Sequence, residues 1–364
     1  MYHPRNSRDP PISHLCWSDY YWAAWFMGLL EVFMYNDKLG IKGLEKKKEC
    51  HDSELIKVVS FFSGCGGLDL GFKGGFEFRG VHYERTKFDI LGAYEIDKKC
   101  KITYESNLDA ILHNIDLEKA SPEDFPSADV LIGGFPCQDF SICGPRAGVE
   151  GKRGGLFRAM SRYAKFWQPK IVVAENVPHL PKMNSGRDLA TIKRSFALAG
   201  YRMLMWPVYA PDYGVPQARS RVILIFIRKD IKNDPAIPPR SHENNHRSVS
   251  WAIEDLIDLS EEVPNQDQFF KAAKAKNGNG QGDEISPRDT PGYTVRANAK
   301  SRVQFHYSLN RRLTIRESAR LQTFPDDFIF PHDATSNIMQ IGNAVPPVLG
   351  HAIAQQLASY LKSI

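Results

Sequence analysis

From about residue 56 the chain alternates short runs of β-branched and aromatic residues with longer stretches in which apolar positions recur at helical spacing. That is the pattern of parallel strands covered by helices. Runs at 57–62, 90–95, 129–132, 170–174, 203–209 and 221–227 predict strands, and helices are expected near 97–106, 154–167 and 187–199. A doubly wound α/β domain over 56–235 follows. The breaker Asp234-Pro235-Ala236-Ile237-Pro238-Pro239 then marks a change of character, and 276–282 reads as a flexible loop, so a second, smaller unit is expected over 236–334. Helical periodicity returns at 314–322 and 346–361, the latter opening on Pro346, and 335–364 is expected to return to the first domain.

Composition changes this picture little. With 364 residues and 42% hydrophobic content the chain can bury a large core, and a net charge of +5 permits a polyanionic partner without demanding one. The six cysteines include no Cys-x-x-Cys pair, which argues against a zinc module and a disulfide framework and fits a reducing cytoplasm; no metal is expected. The aromatic run 20–30 is too short to span a bilayer, which takes about 20 apolar residues, and lacks a cleavage site, so it reads as a packing helix within an extension and linker over 1–55.

Candidate chemistry sits at the predicted strand ends, where open α/β sheets bind ligands. The first strand runs into Ser63-Gly64-Cys65-Gly66-Gly67, a turn whose glycines let backbone approach a ligand. Alone it fits a dinucleotide, a nucleoside cofactor or an empty turn; it holds no Lys-Ser or Lys-Thr, which excludes a P-loop. Glu95 ends the next predicted strand, placed to take ribose hydroxyls, and Asp116 follows where it can accept from an adenine amino group. Three polar groups thus outline an adenosine pocket. Phe135-Pro136-Cys137-Gln138 places a thiol on a loop after the strand at 129–132. Taken alone, a cysteine is more often a small buried hydrophobe than a nucleophile.

These motifs, together with Glu175-Asn176-Val177, Gln217-Ala218-Arg219-Ser220-Arg221, Arg316-Glu317-Ser318-Ala319-Arg320-Leu321-Gln322 and Gln340-Ile341-Gly342-Asn343-Ala344-Val345-Pro346, occur in the order found in DNA (cytosine-5) methyltransferases. The chain from 57 to 361 resembles that family, of the bacterial restriction-modification type. The resemblance implies a Rossmann-like S-adenosylmethionine-dependent methyltransferase domain and a smaller target-recognition domain across a DNA-binding cleft. It implies S-adenosyl-L-methionine as cofactor, with Phe62, Gly64, Gly66, Gly67, Glu95, Ile96, Asp116, Pro136, Leu156, Asn343 and Ala344 at matching cofactor positions. Gln138, Ser141, Arg153, Asn176 and Thr294 match positions that meet the DNA. Double-stranded DNA is the implied partner, met by a cytoplasmic monomer, with a cognate restriction endonuclease acting on the same site without direct contact. The stretch 76–89 is longer than the compact family pattern and reads as an insertion.

The chemistry requires these residue types. Carbon 5 of cytosine is a poor nucleophile until a thiolate adds at carbon 6, the step expected of Cys137. Glu175, near the end of its own strand, is placed to contact ring nitrogen 3 and the exocyclic amine, holding a proton at the right moment. Arg219 and Arg221 alternate on one predicted strand and are expected to face the same way, holding base and phosphate. The loop 139–155 would close over DNA, since the target base must leave the duplex stack. In 286–312, Arg288, Arg296, Lys300, Arg302, Arg311 and Arg312 stand against the single acid Asp289, the expected electrostatic footprint of the recognition unit. Three other readings compete: a tRNA cytosine-5 methyltransferase, whose further Cys-Phe-Thr signature is absent from 236–312; an inactive DNA-binding relative; and a nicotinamide or flavin oxidoreductase, which leaves Phe-Pro-Cys-Gln unexplained.

Overall fold

A computed structural model of the chain describes residues 55–136, 155–257, 262–271, 284–298 and 304–364. The expected amino-terminal helix, Cys137, Gln138, Ser141, Arg153, Lys300, Arg302 and the loop 276–282 lie outside the described residues. In chain order the elements are β1 (Ile56–Phe61), α1 (Gly67–Lys73), β2 (Phe76–Phe78), β3 (Val81–Tyr83), β4 (Phe88–Glu95), α2 (Lys98–Glu105), β5 (Leu112–Asn114), β6 (Val130–Gly133), α3 (Phe157–Trp167), β7 (Ile171–Asn176), α4 (Arg187–Leu198), β8 (Tyr201–Tyr209), β9 (Ser220–Arg228), α5 (Val249–Ile253), α6 (Ile315–Leu321), α7 (Ala334–Asn343) and α8 (Pro347–Lys362).

Seven strands form one sheet in the order β5-β4-β1-β6-β7-β9-β8. β1 pairs in parallel with both β4 and β6, so the chain reverses its direction of winding beside β1, and the carboxyl ends of β1 and β6 flank the crevice where such sheets take ligands. The sheet is the expected doubly wound one and mostly parallel, with one departure from the parallel pattern. β9 runs antiparallel to both β7 and β8. A buried apolar run reads the same in either direction, so its sequence carries no sign of this reversal.

Along β1, alternate side chains enter different cores: Val58 packs with the cluster that includes α1 and α8, and Val59 with the one built on α3 and α4. Both faces of the sheet are therefore covered. α1 and α8 pack closely, and a Cβ on Gly71 would lie 2.6 Å from the carbonyl oxygen of Pro347. The expected insertion is the β2–β3 hairpin. Its Phe78 meets Trp251 edge-on, and Arg79 reaches Asp255 at 2.6 Å, so it braces α5.

Residues Glu54–Ile364 form one compact unit. The segment 286–298 is bonded to the run just before β9: Ala218 N–H donates to the Gly292 carbonyl (2.6 Å) and Val295 N–H to Gln217 Oε1 (3.0 Å). α6 starts on a reciprocal cap between Thr314 and Glu317, and Arg316 is buried with its guanidinium on the carbonyls of Pro264, Pro325 and Phe328. Among the described residues no helix is long and apolar enough to cross a membrane.

Candidate active site

A cavity of about 710 Å³ opens along the carboxyl ends of β1, β4, β6 and β7, with α7 as its outer wall. β1 ends one residue earlier than expected, because Phe62 turns into the left-handed region (φ 55°). Gly64 follows with φ 56°, and a Cβ there would point into open space on the cavity side. That is a cradle for a ligand. Gly66, expected to bind cofactor, faces the other way: its Cβ would lie 2.4 Å from Leu108 and 2.9 Å from Tyr104, so it serves helix packing. Beneath the turn, fully buried Asp69 accepts from the hydroxyls of Ser60 (2.7 Å) and Tyr104 (2.8 Å), and burial pushes its carboxyl up to about 6. Cys65 is also buried, its thiol pushed up to about 12 by desolvation, which leaves it inert.

The β4 wall carries Glu95. Its carboxylate accepts from the backbone N–H groups of Gly64 (3.1 Å), Ile96 (2.8 Å) and Asp97 (3.1 Å); burial pushes its pKa up, and these three hydrogen bonds oppose that rise. The side chain is thereby fixed at the pocket rim. Ile96 lines the same rim, and Asp116, past the end of β5, is held by Glu118 N–H (3.1 Å) and Lys119 (3.1 Å). Gly67, Pro136, Leu156, Asn343 and Ala344 also line the cavity.

Sequence reasoning missed several wall residues. Lys99 lines the cavity from α2 and reaches across to Asp333 (3.1 Å) and Ser336 (2.6 Å) at the start of α7. Gln340 lines it from α7 with a buried amide that, among the described residues, has no partner on either Nε2 or Oε1. A buried amide unpaired at both ends is the mark of a site that a ligand completes. Gln340 lies within the Gln340–Pro346 motif, and its orphaned side chain is what singles it out.

These features fit S-adenosylmethionine. Glu95, Asp97, Asp116 and Glu118 gather carboxylates at one end of the pocket against Lys99, which suits a cationic adenosyl ligand. Glu95 and Asp116 would take the ribose and adenine, and Gly64 and Gln340 would meet the rest.

The catalytic wall is built by β6, β7 and β9. Glu175, the penultimate residue of β7, lies over Gly134, where a Cβ would sit 3.4 Å from Glu175 Oε2. A side chain there would crowd the carboxylate. Arg221 Nε lies 2.7 Å from Glu175 Oε1, a close ion pair and not an aligned hydrogen bond. Asn176 donates to the Phe135 carbonyl (3.2 Å) and accepts from Val177 N–H (2.9 Å), so it ties the ends of β6 and β7 together just before Cys137.

Arg219 departs from expectation. It precedes β9, is only 1% exposed, and places its guanidinium on the carbonyls of Val295, Gly342 and Ala344. It holds pocket walls together, while Arg221 is the arginine that stands beside Glu175 among the described residues. Thr294 likewise donates to the Ala218 carbonyl (2.6 Å) and fixes the recognition segment to the Gln217–Arg221 run. The expected basic footprint is also smaller than its sequence count. Arg288 pairs with Glu254 (2.6 Å), and Arg311 grips Glu317 through two hydrogen bonds of 2.8 Å.

The comparisons with known proteins agree with this geometry. The sequence pattern of the C-5 cytosine-specific DNA methylases matches residues 56–284 and 271–359. The chain is 30% identical over 327 residues to the type II methyltransferase M.NgoFVII of Neisseria gonorrhoeae, covering 81% of this chain and 84% of that one. It is 35% identical over 335 residues to the type II methyltransferase M1.HphI of Haemophilus parahaemolyticus, covering 82% and 86%. Among solved structures, the Dnmt2 methyltransferase of S. pombe shares the fold with a TM-score of 0.62 at 15% identity, over 84% of this chain and 99% of that one. With its motifs in order and its strand ends converging on one pocket, the chain belongs to the C-5 cytosine-specific DNA methylase family.

Proposed function

We propose that the protein methylates carbon 5 of cytosine within one short sequence of duplex DNA, as a type II methyltransferase of a restriction-modification system. The observation that supports the reading is the Glu175–Arg221 pair, which faces the same cavity as Glu95, Gly64 and Pro136, the residue before Cys137 in the sequence. S-adenosyl-L-methionine supplies an electrophilic methyl group on a sulfonium. Glu95 and Asp116 orient it from the adenosine end. Cys137 adds to carbon 6 of the extruded base, which raises electron density at carbon 5. Glu175 binds nitrogen 3 and the exocyclic amine and manages the proton there, while Arg221 compensates its charge and stands ready for the base. Gln138, Ser141 and Arg153 contact the DNA, and region 236–334 reads the sequence. The protein works in the cytoplasm as a monomer, marking DNA against a cognate endonuclease.

The test is expression in a host that lacks cytosine methylation, followed by bisulfite sequencing beside a Cys137→Ser control. Protected cytosines confined to one motif, and absent from the control, are expected. An unmethylated genome from folded, cofactor-binding protein would contradict the reading and direct attention to RNA.

A further inference from the structure

The run 177–187 leaves the pocket directly after Glu175 and Asn176 and contains no acid. Its shape is fixed from within. Leu180 and Met183 are buried, and Asn184 donates to both carboxylate oxygens of Asp188 (3.1 and 3.0 Å). Asn184, Ser185 and Gly186 all hold left-handed backbone (φ 45°, 57° and 83°), so the chain turns sharply here before Arg187 opens α4. Lys182 and Arg187 are exposed on this frame. Arg187 Nε donates to the Asn184 carbonyl (3.1 Å), and among the described residues neither cation pairs with a carboxylate. Arg288 and Arg311, in the recognition region, are by contrast neutralised within the fold.

A pair of exposed cations that pair with no carboxylate among the described residues, carried on a shaped loop beside a pocket that would take a base out of DNA, has its complement in the phosphates next to that base. We propose that Lys182 and Arg187 bind phosphates of the DNA backbone flanking the extruded cytosine, making the loop after β7 a backbone clamp. The inference rests on the methyltransferase reading and adds a DNA contact surface outside the recognition region. Phosphates carry no base identity, so the clamp sets affinity and leaves the choice of site untouched.

The test compares the double variant Lys182→Gln/Arg187→Gln with Lys193→Gln/Arg194→Gln. The second pair removes the same charge from exposed positions on α4, roughly 9 Å further from the sheet edge at 1.5 Å per residue. DNA affinity is measured against salt, with S-adenosylhomocysteine binding as the check on folding. Losing two phosphate contacts should flatten the slope of log affinity against log salt by about 1.8, so that the affinity lost between about 50 and about 200 mM salt shrinks roughly tenfold. The preferred sequence and the S-adenosylhomocysteine affinity should stay as in the wild type, and Lys182→Arg/Arg187→Lys should keep the wild-type slope. Equal flattening by both Gln pairs would reduce the effect to net charge, and no flattening by the first pair would remove the contacts; either overturns the clamp. Wild-type protein that binds DNA with the expected slope but methylates nothing would overturn the catalytic reading and leave the clamp standing.

Discussion

Two carboxylates stand at the same edge of one sheet and are held in opposite ways. Glu95, closing β4, is fixed by three backbone N–H groups of neighbouring turns. Glu175, near the end of β7, faces one guanidinium and makes no aligned hydrogen bond through Oε1. Backbone donors cannot leave, so Glu95 is a permanent part of a ligand cradle. A side-chain partner can shift, so Glu175 is free to change partner as a base enters and a proton moves. The contrast supports the proposed division of the pocket into a half that binds cofactor and a half that reacts.

The sharpest way to break that division is Glu175→Gln. It keeps the shape and loses the exchangeable proton, so single-turnover methylation should fall by about 100-fold or more while S-adenosylhomocysteine affinity holds. A matched loss of cofactor binding would erase the distinction.

Asp69 sharpens the account from beneath the glycine turn. Burial pushes its folded carboxyl up to about 6, above the ordinary 3.8, so the native state holds that proton more tightly than the unfolded chain. Its stabilising contribution is complete below 3.8 and is lost as pH rises through about 6, amounting to on the order of 3 kcal/mol. Urea midpoints between pH 4 and pH 7, ~3 units apart, should therefore drop in the wild type relative to Asp69→Asn, which cannot titrate.

Glu95→Gln is the counterpart of the first variant. It should weaken cofactor binding by about ten- to a hundredfold, as expected for losing charge-assisted hydrogen bonds, and leave methyl transfer at saturating cofactor within a few fold. Isothermal titration beside single-turnover rates separates the two effects. The smallest effect belongs to Lys99, which bridges α2 and α7 across the cofactor rim. Because the pair with Asp333 is exposed, Lys99→Ala should speed S-adenosylhomocysteine release by no more than about fivefold, and less at high salt.

Most of the catalytic sheet was legible in sequence because its strands are buried on both faces, and buried strands read as dense β-branched runs. The strands expected at 170–174 and 221–227 appear as β7 and β9 with ends shifted by at most two residues. Relations between distant segments were not legible. The direction of β9, the grip of Arg219 on carbonyls of residues 295, 342 and 344, and the pairing of Arg288 with Glu254 all depend on which backbone arrives beside which side chain. The same limit explains why a cluster of arginines in 286–312 looked like a DNA footprint, although two of them serve the fold. α7 was missed because its apolar spacing is broken by Asn337, Gln340 and Gly342, each with a tertiary reason to be there. Asn337 donates to the carbonyls of Phe330 and His332, Gln340 lines the cavity, and a Cβ on Gly342 would lie 2.2 Å from Ala297 N.

The central claim is that the reacting half of the pocket works through a covalent bond from Cys137 to the base. Its most direct test is intact mass spectrometry of the protein incubated with S-adenosylmethionine and a duplex carrying 5-fluorocytosine at the target, where fluorine at carbon 5 blocks the elimination that would release the enzyme. A one-to-one protein–DNA adduct that maps to Cys137 and disappears in Cys137→Ser is the predicted result. No adduct with a duplex whose unfluorinated form is methylated, or an adduct at another residue, would contradict it.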